Sequence, residues 1–296
     1  MTSDVYVTRV SDDRGAAMAR VLGWLDPPRD ARSVAIKLNL CDYRKPETGA
    51  VSDPAVVDAL LEALRERYPQ ADLVLCENDA SDTLVRHMWR YLGLDRVAAR
   101  HGARCVNLPD SEWVAVPIDG VRAKQVEVPR LLLECDVLVN HPKLKTHGKT
   151  KLTCALKNMF GCYRPKDKGP FHRFLDDAIV DINLALRRPH VVVVDGDLCV
   201  EGNRGPTQGL PKRLGLFIGG RDPVALDAFA AHVMGFRPRA IGHVRKSARA
   251  GLGSLRYAIH GDLAGARLTP YRFQWSGSKF LMMQIARRLV AWSAAG

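Results

Sequence analysis

Four apolar runs constrain this chain more than any other feature. They are SVAIKLNL at 33–40, ADLVLCEND at 71–79, LLLECDVLVN at 131–140 and PHVVVVDGD at 189–197. Each is too short for a core helix, rich in Val, Ile and Leu, and closed by polar residues, the pattern of a strand buried on both faces of a sheet. Between them lie segments with helical spacing. One has Asp53 or Ser52 as cap, Pro54 at the first position, and Val56, Leu60 and Leu64 on one side. Others cover Thr83–Leu92 and Leu175–Leu186, and one after Asp222 and Pro223 runs to Met234. Strands alternating with helices predict an α/β fold, a mostly parallel sheet with helices on both faces, in one or two lobes. The organisation expected is an α/β domain over 1–268 and a C-terminal amphipathic helix within 269–296. The segment DSEWVAVPIDGVRAKQVEVPR reads as a β excursion between two of the strands.

The third run delivers the chain into HPKLKTHGKTKLTCALKNMFGC, residues 141–162. Every second side chain there carries nitrogen: His141, Lys143, Lys145, His147, Lys149 and Lys151. In extended backbone these would share one face. Like charges in a row repel and call for an anionic counterpart, either a bound phosphate, sulfate or carboxylate, or acids supplied by the fold. Leu152, Ala155, Leu156 and Met159 then follow a helical stripe, with Lys157 and Asn158 beside them and Gly161 as a stop.

In open α/β sheets ligands bind beyond the carboxyl ends of the strands. The residues collected there are Lys37 and Asn39, Glu77 and Asp79, His141, Lys143, Lys145 and His147, and Asp195 and Asp197. The loop Gly202–Gly209, with Gly205 inside it, fits neither a Walker A nor a dinucleotide fingerprint. It is either a plain turn or a set of backbone N–H donors for an anion. Crowded lysines lower one another's pKa, so one of them can be a neutral base or nucleophile while a charged neighbour holds an anion. The expectation is that Lys37, Asn39, His141, Lys143, Lys149, Asn158, Gly202, Gly205 and Gly209 bind the anion, and that His147, Lys157 and Lys145 carry the chemistry. Asp195, Asp197 and Glu201 are the candidates for a divalent metal; neutralisation of the lysines is the expected role of these acids instead.

The formal charge of +12 and a pI near 9.6 raise nucleic-acid binding. The charge is spread along the chain with no consecutive Lys/Arg block, and no aromatic–glycine RNA signature is present, so no specific nucleic acid is expected. The seven cysteines are scattered and odd in number, with no C-x-x-C, which argues against a disulfide framework and for a reducing compartment. The opening MTSDVYVTRV lacks a signal pattern and no run of 18 apolar residues exists, so the expected location is the cytoplasm and not a membrane.

Several segments, in order, resemble the DUF362 family. They are IKLN, SDPAVVDALLEAL, CEND, HPKLKTHGKTKLTCALKNMFG, VVDGDLCVEGNRGPTQG and GGRDPVALDAFAAHVMG, and the resemblance covers roughly residues 33–260. The resemblance implies an α/β fold and little defined chemistry, and many members of that family carry a ferredoxin-type iron–sulfur module. This sequence departs there, because no 4Fe-4S ligand motif is present.

The function expected is that of an enzyme acting on a small anionic substrate by proton transfer, elimination, or displacement of an anionic leaving group such as phosphate or sulfate. It is lyase-, isomerase- or transferase-like and, lacking a hydride-cofactor fingerprint, not a nicotinamide dehydrogenase. The alternative is an anion-, metal- or iron–sulfur-cofactor-binding protein without its own catalysis. The tail SGSKFLMMQIARRLVAWSAAG predicts a helix over 279–292 that packs on the fold or on a second subunit of a homo- or hetero-oligomer, with membrane binding disfavoured by its few cations.

Overall fold

The structure is a computed structural model and describes residues 2–80, 83–164, 171–186, 191–202, 209–266, 270 and 273. Gly205 and the expected C-terminal helix lie outside the described residues. The strands are β1 (Ser3–Arg9), β2 (Ser33–Lys37), β3 (Asp72–Glu77), β4 (Ala103–Asn107), β5 (Trp113–Pro117), β6 (Gln125–Pro129), β7 (Val137–Asn140), β8 (Lys143–His147), β9 (Lys151–Thr153), β10 (Val191–Glu201), β11 (Leu210–Gly220) and β12 (Tyr257–Gly261).

One 10-stranded sheet carries the fold, in the order β12-β1-β11-β10-β7-β2-β3-β4, with β8 and β9 added beyond β10. β10, β7, β2, β3 and β4 are mutually parallel, while β11 runs antiparallel between β1 and β10. β5 and β6 form the separate hairpin expected of the excursion. The alternation within each buried strand feeds two cores. Val34, Ile36, Leu73, Leu75, Val137 and Val139 pack with the helices Arg14–Leu25, Pro54–Arg67, Val85–Leu92 and Leu94–Arg100. Ala35, Val74, Cys76, Leu138, Val192 and Val194 face the helices Leu175–Ala185, Pro223–Met234 and Gly242–Arg249. The α/β class with helices on both faces is therefore present as expected. Asp53 and Asp222 cap their helices, accepting from Ala55 N at 2.9 Å and from Val224 N at 2.8 Å. Among the described residues no helix is long and apolar enough to cross a membrane.

The structure corrects several readings. The first half of LLLECDVLVN is a short helix, Arg130–Glu134, closed by an Arg130–Glu134 pair at 2.7 Å, and only Val137–Asn140 is strand. β10 runs on to Glu201, so Asp195 and Asp197 lie mid-strand rather than at its end, Asp197 within a register shift between Gly196 and Leu198. The basic row is broken. β8 ends at His147, the chain turns at 148–150, and β9 returns antiparallel, with Lys145 opposite Thr153. Lys151 takes a positive φ of 64° after that turn, a region few non-glycine residues adopt. Leu152 therefore belongs to β9, and the helical turn begins only at Ala155.

What positions the site is a split in the sheet. β7 pairs with β2 as far as Lys37 and Asn140. There His141 N donates to Lys37 O at 2.9 Å, and the chain bends at His141-Pro142. β8 continues alongside β10 alone, Lys143 opposite Asp195. Strand order also reverses between β2 and β7, and a crevice at the carboxyl ends of such strands is where open α/β sheets take ligands.

β8 is riveted to β10 by the Lys143–Asp195 pair, 2.8 Å apart with both side chains buried. A buried charge stripped of its partner is far costlier than the pair itself is stabilising. Asp195→Ala should lower stability by about 3–5 kcal/mol in chemical denaturation, and a Lys143→Met/Asp195→Leu double variant should recover most of the loss.

Candidate functional site

A cavity of about 150 Å³ lies at the split. Its wall comes from the ends of β2 (Lys37, Asn39, Cys41) and β3 (Glu77, Asn78, Asp79), from β8 and β9 (Lys145, His147, Thr153), and from the turns after β9 (Lys157, Asn158, Phe160, Gly161). Each contributor follows an apolar stretch that anchors its backbone in the sheet or core. The sequence-selected residues Lys37, Asn39, Lys145, His147, Lys157 and Asn158 are thus brought together.

Two lysines in this region are neutralised by the fold. Lys37 Nζ sits 2.5 Å from Glu77 Oε1 and also donates to Leu38 O. Burial disfavours its charge, but Glu77 more than offsets this and the pKa rises. Gly161 packs over the pair; a Cβ there would stand 3.0 Å from Lys37 Nζ. Lys143 turns to Asp195 and does not line the cavity, so its expected anion-binding role is corrected to a structural pair.

Lys145 is different. Its ammonium is buried and donates to Asn39 Oδ1 (2.7 Å), Ala50 O (2.7 Å) and Cys41 Sγ (3.1 Å), three acceptors that use all three protons. A line of amides fixes that arrangement. Asn39 Nδ2 donates to Asn158 Oδ1 at 2.8 Å, Asn158 Nδ2 to Asn140 Oδ1 at 2.7 Å, and Asn140 Nδ2 to Ala155 O at 2.9 Å. Because each amide donates onward, each presents its oxygen backward, and the last oxygen meets Lys145. Lys157 is half-buried and has no hydrogen-bond partner among the described residues. Burial first, and the Lys145 charge second, push its pKa down to about 8. Neither Lys145 nor Lys157 has a carboxylate within 4.0 Å among the described residues.

His147 Nδ1 accepts from both Lys149 N and Thr150 N at 3.2 Å. Two amide donors require a lone pair on Nδ1, which places the proton of the neutral ring on Nε2. Burial, followed by the charges of Lys157 and Lys145, holds its pKa well below the usual histidine range. The neutral ring therefore carries a hydrogen-bond donor on Nε2. His141 is also buried; its Nδ1 donates to Val193 O at 2.7 Å, burial lowers its pKa, and it does not line the cavity. Lys149 is exposed on the turn, outside the cavity wall.

The remaining candidates separate from the site. Asp197 meets Arg14 at 3.0 Å and Arg213 at 3.5 Å, and Glu201 meets Lys212 at 2.9 Å. With Asp195 on Lys143, each weak metal candidate has a cationic partner, and among the described residues no group of three or more His, Cys, Asp or Glu is placed to hold a metal ion. Gly202, at φ 102°, accepts from Thr146 Oγ1 through its carbonyl, and Gly209 presses against Glu201 O; both stand at the throat of the β10–β11 hairpin rather than in the cavity.

Sequence reasoning missed Cys41, Asn78, Asn140 and Thr153. Asn78 and Asn140 end β3 and β7, the position that selected their neighbours. Asn78 Nδ2 ties the cavity floor together by donating to Gly161 O and Tyr163 O. His243, buried between Asp227 and Asp176 with its pKa raised, adds its charge to those depressing His147.

Comparison with known proteins gives three results. The family model described as "Domain of unknown function (DUF362)" matches residues 34–232. Thylakoid-associated protein sll1697 of Synechocystis is 33% identical over 229 residues, covering 74% of this chain and 68% of that protein. The lactate racemase apoprotein of Thermoanaerobacterium thermosaccharolyticum aligns in structure at a TM-score of 0.40 and 14% identity, over 79% of this chain; the chain spans 57% of that protein's length.

The lowered pKa of Lys157 has a direct readout. Competitive acetylation followed by peptide mapping should give Lys157 a titration midpoint near pH 8. Below that pH it is an ammonium and protected; above it the free amine reacts. In Lys145→Met the midpoint should move upward, since the neighbouring charge that opposes protonation is gone.

Proposed function

The chain belongs to the DUF362 family, and we propose that its cavity binds a small anionic molecule and promotes proton transfer on it. The observation that carries the reading is the pair Lys145 and Lys157, which among the described residues lack the acid partner that Lys37 and Lys143 each possess. Withdrawing a charge from water is costly unless it is paired. The fold meets that cost at Lys37 and Lys143 with carboxylates and at Lys145 with the dipoles of Asn39 and Ala50 and the sulfur of Cys41. An anion bound there completes the neutralisation.

In this reading the roles divide by geometry. Lys145, with its protons committed, acts as a fixed charge. His147 offers Nε2–H to the anion or to a developing negative oxygen. Lys157, near pKa 8 and unpartnered among the described residues, gives and takes the proton near neutral pH. Elimination or displacement of a phosphate or sulfate leaving group uses the same positions, the cation against the departing charge and the amine against the proton. The free cysteines are in keeping with a cytoplasmic setting for this chemistry.

Titration calorimetry with inorganic phosphate and sulfate tests the reading. Binding should weaken as pH rises through 8, because Lys157 loses its charge there. Lys145→Met, which keeps the volume, should weaken binding by about 10-fold or more, the range expected when a charged partner is removed. Undiminished affinity in that variant overturns the proposal.

A further inference from the structure

We propose that the cavity takes a small aldehyde or ketone bearing an anionic group, and that Lys157 attacks its carbonyl carbon to form an imine. The inference rests on the anion-binding reading and adds a covalent step to it. Three observations carry it. First, Lys157 Nζ reaches the cavity wall without a hydrogen-bond or ion-pair partner among the described residues, so nothing there holds its lone pair. The other lysines of the wall are committed, Lys37 to Glu77 and Lys145 to three acceptors.

Second, the wall contains another uncommitted polar group. Thr153 Oγ1 is buried and has no hydrogen-bond partner among the described residues, although a buried hydroxyl ordinarily finds one. His147, with its proton on Nε2, lines the same wall. An imine-forming site needs such donors, because the carbonyl oxygen must leave as water. Third, the cavity of about 150 Å³ has room for about five waters at 30 Å³ each, the scale of a short carboxylate- or phosphate-bearing carbonyl compound rather than of a nucleotide.

The step balances without an oxidant or reductant. The Lys157 lone pair forms the C–N bond as the carbonyl π pair moves to oxygen. One amine proton passes to that oxygen, giving a carbinolamine. Its C–O bond then breaks, the hydroxyl leaving as water with a proton supplied from the wall, and the remaining N–H proton is lost as C=N forms. An imine on an amine activates the neighbouring carbon–hydrogen bond, which ties the covalent step to proton transfer.

The test uses the full chain with pyruvate and cyanoborohydride, which reduces an imine to a stable amine, read by intact mass and peptide mapping. A single adduct at Lys157 is expected, formed about 10-fold or more faster than at exposed Lys149, since an amine near pKa 8 is far more often neutral than one at the ordinary ~10.4. Lys157→Arg keeps the charge and should lose the adduct while retaining its melting temperature. Acetone, the same ketone without the carboxylate, separates the two ideas. Equal labelling of Lys157 by acetone and pyruvate leaves the nucleophile standing and overturns the anion reading. Phosphate binding with no adduct at Lys157, or adducts spread evenly over exposed lysines, overturns the imine proposal and leaves the anion reading standing.

Discussion

A buried ammonium with no carboxylate partner among the described residues organises the cavity. Lys145 is held by one amide oxygen, one backbone carbonyl and one sulfur, and none of these acceptors lies on its own strand. The amide line through Asn39, Asn158 and Asn140 exists in register because Lys145 polarises its first oxygen, and cooperative orientation of this kind strengthens each link. The same charge lowers Lys157 and His147. An apolar residue at 145 would leave Asn39 Oδ1, Ala50 O and Cys41 Sγ without their donor, and would remove the field that lowers the pKa of both neighbours.

The contrast with Lys143, two residues earlier on the same strand, is instructive. Both side chains are buried, yet one is paired with Asp195 and the other is left to dipoles. The difference comes from where the sheet splits. At Lys143 the strand still lies beside β10 and its mid-strand acid. At Lys145 its register partner is Val200, and the side chain turns to the loop after β2. The register shift between β8 and β10, which carries the pairing from Asp195 to Val200 over two residues of β8, thus separates the carboxylate-paired charge from the one held by dipoles.

Much of this was legible before any coordinates. The apolar runs marked the strands because residues buried on both faces leave little room for polar insertion. Their polar terminators, Lys37, Asn39, Glu77 and Asp79, marked the ligand edge because parallel strands deliver their ends to one side. The row His141 to Lys151 was read as unbroken because alternation reports side-chain direction only while the backbone stays extended, and nothing in HGKT announced that β9 would double back. The partner of Lys143 was equally hidden. Asp195 was placed at a strand end, whereas β10 runs six residues further and carries it beside β8. Cys41 and Thr153 matter only through atoms contributed by distant elements, and no local pattern encodes that.

The distances along the chain between site partners have a consequence for modularity. Asn39 meets Asn158 across 119 positions, Lys145 meets Asn39 across 106, and Lys145 meets the Ala50 carbonyl across 95. Closing such loops is the slow, entropically expensive part of assembling a chain, so these contacts belong to the late stages of folding, after the local helices and neighbouring strands have formed. The cavity is accordingly indivisible. Its wall draws on residues from Lys37 to Gly161, and β8 is held by Asp195 of β10, so a transplant of the cavity must carry the chain from β2 through β10 as one inheritable block.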